Sequence, residues 1–269
     1  MNGKKERVDI LLVEQGLSET REKARRAIMA GLVHTERERI DKPGTKIDRD
    51  TPLFVKGQEC PYVSRGGMKL HKALDVFNVS IEGKVVLDVG ASTGGFTDCA
   101  LQHLANQVYA VDVGYNQLHW KLRSDDRVVV MERMNFRYAD QEDFTHGSPQ
   151  FAVCDVSFIS LKHIFPPMQR IIEDESDAIV LVKPQFEAGR EEVGKRGIVR
   201  DKNVHRRVIE DVLNFAEESG LQPIGLDVSP ITGTGGNIEF LLHLRKNANP
   251  SRHIDASRIA LVIKNAHSA

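Results

Sequence analysis

The chain has 269 residues, 41% hydrophobic and 28% charged, enough for one or two buried cores and incompatible with collagen-like, low-complexity or disulfide-scaffold classes. Lys and Arg (37) nearly cancel Asp and Glu (38), leaving a formal charge of -1, so net charge alone announces no polyanionic partner. The first 70 residues nevertheless hold 15 Lys/Arg against 11 Asp/Glu, a net +4, which leaves -5 for the remainder. Cys60, Cys99 and Cys154 lie 39 and 55 residues apart, matching neither zinc-ligand spacing nor an even-numbered extracellular framework, so a reducing cytoplasm is expected and no metal site. The start is charged, and no apolar run of about 18 residues occurs, so neither a signal peptide nor a membrane span is expected.

Arg7 to Lys56 reads as two short helices followed by short strands. Val8, Leu11, Leu12 and Leu17 mark the first helix. Ser18 is expected to cap a second helix running from Glu19 to Ala30, which Gly31 closes. Ala24, Ala27 and Ile28 form its buried stripe, while Arg21, Lys23, Arg25 and Arg26 spread over the rest. Such a face suits phosphate, or is simply solvated with Glu19 and Glu22 as partners. Strands are expected near 31–35, 42–47 and 50–55, between Pro/Gly turns. The register Arg-x-Asp-x-x-Leu, Ser-x-Thr-Arg-x-x-Ala and Ile-x-x-Gly-x-Val resembles the S4 RNA-binding domain, departing at Val33-His34-Thr35, where Val-x-Val-Asn is usual. The resemblance implies a small α+β domain over residues 1–58 that contacts structured RNA, with Arg7, Arg21, Lys23, Arg25 and Arg26 as contacts. Residues 59–67, rich in Gly, are expected as a linker.

Over 68–246 apolar strands alternate with helical stretches, which predicts a mostly parallel sheet with helices on both faces. The expected strands are 84–89, 107–113, 127–133, 151–156, 178–182, 224–228 and 238–244. Only a short turn region separates the last two, so they are expected to pair antiparallel. Residues 247–269 form a polar, then weakly amphipathic tail.

The segment Asp88-Val-Gly90-Ala-Ser92-Thr93-Gly94-Gly95-Phe96 is a buried strand breaking into a glycine turn before a helix. Ser92 stands where a dinucleotide fingerprint needs its second glycine, which disfavours a pyrophosphate on this turn. Asp88 repels phosphate and suits the ammonium of a cationic ligand. Asp112, ending the next strand, suits a ribose diol, or else caps its own loop. The segment resembles the S-adenosylmethionine motifs of class I methyltransferases, with their Rossmann-like seven-stranded sheet. That resemblance implies the cofactor S-adenosyl-L-methionine (SAM), held by Asp88, Gly90, Ser92, Thr93, Gly94, Gly95, Phe96 and Asp112.

The fourth strand, ending at Asp155, carries neither an Asn/Asp-Pro-Pro-Tyr/Phe sequence nor a Pro-Cys pair, so amine and ring-carbon methylation lose ground. Cys154 is expected to point into the core. Lys183 follows four apolar residues of the fifth strand and needs a carboxylate or a wet cleft. Asp155, Glu239 and Lys69 are candidate companions. This Lys-Asp-Lys-Glu set resembles the catalytic tetrad of FtsJ-like ribose 2'-O-methyltransferases, with Lys183 as candidate base.

An S4-like module ahead of an FtsJ-like domain resembles the TlyA (haemolysin A-like) family of ribosomal RNA methyltransferases. The resemblance implies SAM-dependent methylation of a cytidine 2'-hydroxyl in ribosomal RNA or ribosomal subunits. The segment from Gly189 to Arg200 is expected as a substrate-facing lid or a plain mobile loop. Arg65, Arg190, Lys195 and Arg196 are further candidate RNA contacts. Phe136, Phe158 and Phe186 are candidates to stack a flipped nucleotide, or are core. Two other classes stay open: a non-catalytic RNA-binding or ribosome-assembly factor, and a membrane-lytic haemolysin, which no cationic amphipathic segment supports.

Overall fold

The computed structural model describes residues 5–18, 20–35, 38–49, 51, 53–55, 60–247 and 254–268. It divides the chain into two compact units, residues 1–60 and 61–269. Of the sequence expectations, Glu19, Asp50, Lys56, residues 57–59 and residues 248–253 lie outside the described residues. No helix among the described residues is long and apolar enough to cross a membrane.

The first unit runs β1 (Lys5–Arg7), α1 (Val8–Glu14), α2 (Arg21–Met29), β2 (Val33–His34), β3 (Arg39–Ile40), β4 (Lys46–Asp48) and β5 (Phe54–Val55). β1 pairs with β4, and β2 lies between β3 and β5, all antiparallel. Val8, Leu11, Leu12, Ala24, Ile28 and Val33 make its core, whereas Leu17 is exposed. The cap of α2 is Thr20 and not Ser18. Thr20 accepts the Lys23 N–H at 3.2 Å, while Ser18 donates its hydroxyl to the Thr20 carbonyl at 3.1 Å. Both residues are good caps, and sequence does not tell which is bent out of helical conformation.

The second unit runs α3 (Gly67–Phe77), β6 (Val85–Val89), α4 (Gly95–Gln102), β7 (Gln107–Val111), α5 (Trp120–Arg123), β8 (Val128–Met131), β9 (Phe151–Cys154), α6 (Phe165–Ile171), β10 (Asp177–Val182), α7 (Pro184–Glu187), α8 (Lys202–Glu218), β11 (Leu221–Val228), β12 (Phe240–Lys246) and α9 (Ala256–Ala266). Its seven-stranded sheet has the order β11-β12-β10-β9-β6-β7-β8. The five strands from β10 to β8 are parallel, and β12 runs antiparallel to both β10 and β11. Chain order reverses between β6 and β9, and a crevice opens there at the strand C-termini.

Alternation along the strands decides which residues face which layer. Leu87, Val89, Tyr109, Val111, Ala152 and Cys154 share one core with Phe165 and Met168 of α6, Val208 and Val212 of α8, and Ile259 and Val262 of α9. The C-terminal stretch is therefore part of this unit, not a free tail: α9 packs on β11 and α8. His267, just past α9, sits with Nε2 3.0 Å from Nδ1 of buried His205 on α8. Residues 61–67 are likewise no linker. Val63 N–H donates to buried Asp98 of α4 at 2.8 Å, and Tyr62 is buried. A Cβ on Gly95 would sit 2.3 Å from Ser64 Oγ and 2.8 Å from Gly67 N, so only glycine permits this approach. The contact brings the start of α3, and with it Lys69, to the strand ends.

Candidate active site

β6 breaks at Gly90, whose φ of +85° belongs to the left-handed region. A Cβ there would lie 2.9 Å from the Asp155 carbonyl oxygen, so the turn crosses the end of β9 at backbone contact. Two adjoining cavities open at this crossing. One, of about 550 Å³, is lined by Gly90, Ser92, Asp112, Gln117, Asn135, Phe136 and their neighbours. The other, of about 510 Å³, is lined by Arg65, Lys69, Ser92, Thr93, Gly95, Phe96 and Lys183 among others. Gly90, Ser92, Asp155 and Ser157 line both.

Three of the four expected tetrad residues, Lys69, Asp155 and Lys183, line the second cavity, and Glu239 is buried behind Lys69. Lys183, directly after β10, places Nζ 2.6 Å from Asp155 Oδ1 and donates to Ser157 Oγ at 3.0 Å. Lys69 donates to Asp155 Oδ2 at 3.3 Å and to Glu239 Oε2 at 2.7 Å. Lys69, Lys183 and Glu239 are buried and Asp155 is slightly exposed. Two ammonium groups and two carboxylates thus alternate in one ion-paired chain, which neutralises charges that burial would otherwise penalise heavily. Ser157 is a contact the sequence did not single out: nothing in its local pattern marks a serine two residues past a strand.

The cofactor-side residues divide. Gly90, Ser92, Thr93, Gly95, Phe96 and Asp112 line one or both cavities. Gly94 does not: its φ of +97° turns the chain where a Cβ would strike the Leu118 and Leu122 side chains. Asp112 accepts the Ser92 N–H at 2.7 Å through Oδ2 and the Gly114 N–H at 2.6 Å through Oδ1. It therefore caps its loop and lines the cavity at once, and each carboxylate oxygen keeps a further lone pair. Asp88 departs from expectation. It is fully buried on the α4 face of the sheet, accepts the Thr97 hydroxyl at 2.6 Å, and lines neither cavity. Sequence placed the acid near the turn, but the period-two alternation sends its side chain under α4. The glycine cradle, the acceptor at Asp112 and a cavity within the usual ~300–1,000 Å³ of ligand sites fit SAM without a direct Asp88 contact.

Burial pushes the Asp88 carboxyl up to about 7, with the Thr97 hydrogen bond opposing and the Asp155 and Asp112 charges adding. The folded protein holds this proton where the unfolded chain, with an ordinary value of 3.8, releases it. Its contribution to stability is therefore greatest below about pH 4 and is lost as pH rises through 7. Asp88→Asn is expected to gain about 2–4 kcal/mol over wild type between pH 5 and pH 8, read from paired denaturant titrations. A constant difference across that range would remove the buried acid from the account.

Cys154 is fully buried and its thiol is pushed up by burial, which excludes it as a thiolate nucleophile. Phe136 is core, while exposed Phe158 pairs with half-buried Phe186 at a 4.9 Å ring separation. The Gly189–Arg200 stretch is anchored. Gly194 bridges Ile198, Ile198 and Val199 are buried, and Asn237 accepts the Val199 N–H at 3.0 Å and donates to the Gly197 carbonyl at 2.8 Å. Arg190, Lys195 and Arg196 remain exposed on it, as does Arg65 at the cavity.

In the first unit, Asp9 is fully buried and organises two of the expected contacts. Arg7 grips it with two bonds at 2.9 and 3.0 Å, and Arg21 with one at 3.0 Å. The hydrogen bond from Arg7 outweighs burial and holds the Asp9 carboxyl below its ordinary value. Lys23 is half-buried; Arg25 and Arg26 are exposed.

Residues 62–246 match the model of the FtsJ-like methyltransferase family, and residues 6–51 that of the S4 domain. YqxC of Bacillus subtilis, itself named only as a candidate rRNA methyltransferase, is 59% identical over 269 residues, covering 99% of this chain and 96% of its own. The 16S/23S rRNA (cytidine-2'-O)-methyltransferase TlyA of Mycobacterium tuberculosis is 42% identical over 240 residues, 89% of each chain. A solved chain from Streptococcus thermophilus, named as a candidate hemolysin, superposes with a TM-score of 0.78 at 56% identity, covering 98% of this chain and 96% of that one.

Proposed function

We propose, because this chain belongs to the FtsJ-like methyltransferase family and, with its S4 domain, to the TlyA group within it, that it methylates the 2'-hydroxyl of a cytidine in ribosomal RNA from SAM. The observation that carries the reading is the tetrad: Lys69, Asp155, Lys183 and Glu239 come from four separate chain segments and form one ion-paired chain beside the glycine cradle. A ribose hydroxyl is a weak acid and a poor nucleophile, so its attack gains from a positioned proton acceptor. Lys183 is that acceptor, through the Nζ lone pair of its neutral amine form, and the methyl passes to the ribose oxygen as the SAM sulfur leaves neutral. Asp155 aims it through the 2.6 Å contact, and Lys69, fixed by Glu239, neutralises the second Asp155 oxygen. SAM supplies the electrophilic methyl group when bound. Gly90, Ser92 and Asp112 hold its nucleoside side, and exclusion of water by the buried pairs strengthens every charge interaction at the reacting hydroxyl. Such an enzyme works among ribosomes in the cytoplasm, with ribosomal RNA or a subunit as its partner.

The test is transfer of labelled methyl from SAM to ribosomal RNA by the purified full chain. The expected product is a label recovered in dinucleotides that resist alkaline cleavage, because a blocked 2'-oxygen cannot attack its phosphate. Label recovered only in mononucleotides would place the methyl on a base and overturn the reading.

The S4 unit supplies phosphate contacts through Arg25 and Arg26, whose side chains are free of ion pairs among the described residues. Arg25→Glu with Arg26→Glu is expected to weaken RNA binding and to reduce the slope of log affinity against log salt by about 2, with SAM affinity unchanged. An unaltered slope would make this helix face a solvated one. Arg21 is the wrong residue for that experiment, since a glutamate there would abut buried Asp9.

A further inference from the structure

The exposed aromatics of the second unit are confined to one end of its sheet. Besides Phe158, they are Tyr115, Trp120 and Tyr138, with 64%, 75% and 77% of their surface accessible. Tyr115 lies on the connection from β7 to α5, Trp120 opens α5, and Tyr138 lies on the segment that follows β8. Tyr138 directly follows Arg137, and Tyr115 lies between Val113 and Gln117, all three of which wall the 550 Å³ cavity. Aromatic rings this exposed forfeit the burial that normally holds them, and exposed stacking faces mark interaction surfaces.

Each tyrosine carries a cation. The Arg133 guanidinium lies 4.1 Å from the Tyr115 ring centre and that of Arg137 lies 5.3 Å from Tyr138. Neither arginine has an ion-pair partner among the described residues. The rings are set on fixed backbone: Arg133 N–H donates to the Gly114 carbonyl at 2.9 Å, Met134 N–H to the Asp112 carbonyl at 3.0 Å, and Gly114 N–H to the Asp112 carboxylate. Arg133 itself holds a left-handed φ of +57°, a conformation that costs free energy for a long side chain. Two separate loops are thus stitched so that a cation and a ring are presented together. His119, 6.0 Å from the Trp120 ring, extends the same chemistry toward α5.

We propose that Tyr115, Trp120 and Tyr138 form a stacking strip for unpaired RNA bases, with Arg133 and Arg137 meeting the phosphates between them. Exposed rings, two of them with a guanidinium alongside that has no ion pair among the described residues, match a single strand, whose bases are free to stack, better than a duplex, whose bases are sealed in their own stack. A protein partner would bring carboxylates or apolar side chains and would show no preference for unpaired RNA. The inference rests on the RNA methyltransferase reading and adds to it a second contact surface, separate from the S4 unit, that holds the strand flanking the target nucleotide.

Trp120 is the chain's single tryptophan, so its fluorescence reports on this strip alone. In the full-length protein, a short unpaired oligoadenylate RNA is expected to quench Trp120 saturably and to shield it from iodide, whereas SAM alone and a duplex RNA of equal length leave it open. Tyr115→Ala with Tyr138→Ala is expected to weaken oligoadenylate binding about tenfold, and Tyr115→Phe with Tyr138→Phe, which keeps the ring faces, to restore it; SAM affinity is expected to stay at the wild-type value in both. Unquenched Trp120, equal quenching by duplex, or wild-type affinity in the alanine variant would each overturn the strip. Labelled methyl transfer by the wild type, read in parallel, separates the two claims: transfer with unquenched Trp120 rejects the strip alone, and saturable quenching without transfer upholds the strip while rejecting the enzyme.

Discussion

Lys183→Ala is expected to bind SAM and RNA as the wild type does and to lose about 10²–10⁴ in single-turnover methyl transfer. The loss belongs to the reacting state, because only that state needs a group to take or offset the hydroxyl proton. The site limits what else the substitution disturbs: Lys183 lies at a cavity wall, and its loss leaves Asp155 still bonded to Lys69. Lys183→Arg separates proton transfer from charge. Arginine keeps the cation beside Asp155 but does not deprotonate, so it is expected to be as inactive as alanine. An active arginine variant would reduce Lys183 to an electrostatic support. The comparison is made by rapid quench with saturating SAM, so that chemistry and not release is measured.

Gly90→Ala is expected to abolish measurable SAM binding by calorimetry. The added Cβ meets the Asp155 carbonyl oxygen at 2.9 Å and Val156 Cγ1 at 3.2 Å, and the left-handed φ adds strain of about 1–2 kcal/mol for any side chain. Backbone on backbone cannot yield by a rotamer change, so either the turn or the end of β9 must move. Both carry site residues. Gly147, which is also left-handed but meets only Val85 Cγ2 at 3.5 Å, is the control: Gly147→Ala pays the φ strain far from the cavities and is expected to lose some stability but not SAM affinity. Equal retention of SAM by both variants would show that the cradle is not where the cofactor sits.

Much of this site was legible because its chemistry sits at the ends of strongly patterned strands. Runs such as Val85–Val89 and Ala178–Val182 have few alternatives to buried parallel strands, and a lysine at the end of such a run demands compensation wherever it lies. The direction of side chains was less legible. Asp88 and Gly90 are two residues apart, yet one faces α4 and the other the cavity, because the turn after the strand breaks the alternation that sequence extrapolates. Strand limits failed for a related reason. The expected strand 224–228 begins after Pro223, whereas β11 starts at Leu221 and Pro223 and Gly225 flank a register shift within it, where a proline and a glycine are tolerated. Asp112 and Val113, included in the expected strand 107–113, fall in the loop that Asp112 itself caps. Ser157, Asp98 and Asn237 act through hydrogen bonds between distant segments, and no local periodicity encodes these.

Asp9 illustrates the same limit in the first unit. The register Arg-x-Asp-x-x-Leu marks the position, but only the fold shows that the carboxylate is buried and ties Arg7 to Arg21. Two of the cations expected to meet phosphate are therefore also structural. That division, with Arg25 and Arg26 free and Arg7 and Arg21 tied, is invisible in the charge pattern of the helix.

Methylation of a ribose in ribosomal RNA by these residues leaves a mark that cells retain. Its most direct test is a map of 2'-O-methylated nucleotides in ribosomal RNA from cells with the protein, without it, and complemented with wild type or Lys183→Ala. At least one cytidine is expected whose 2'-O-methylation disappears without the protein, returns with the wild type and stays absent with Lys183→Ala. Identical maps in all four, or a mark fully restored by the alanine variant, would contradict it.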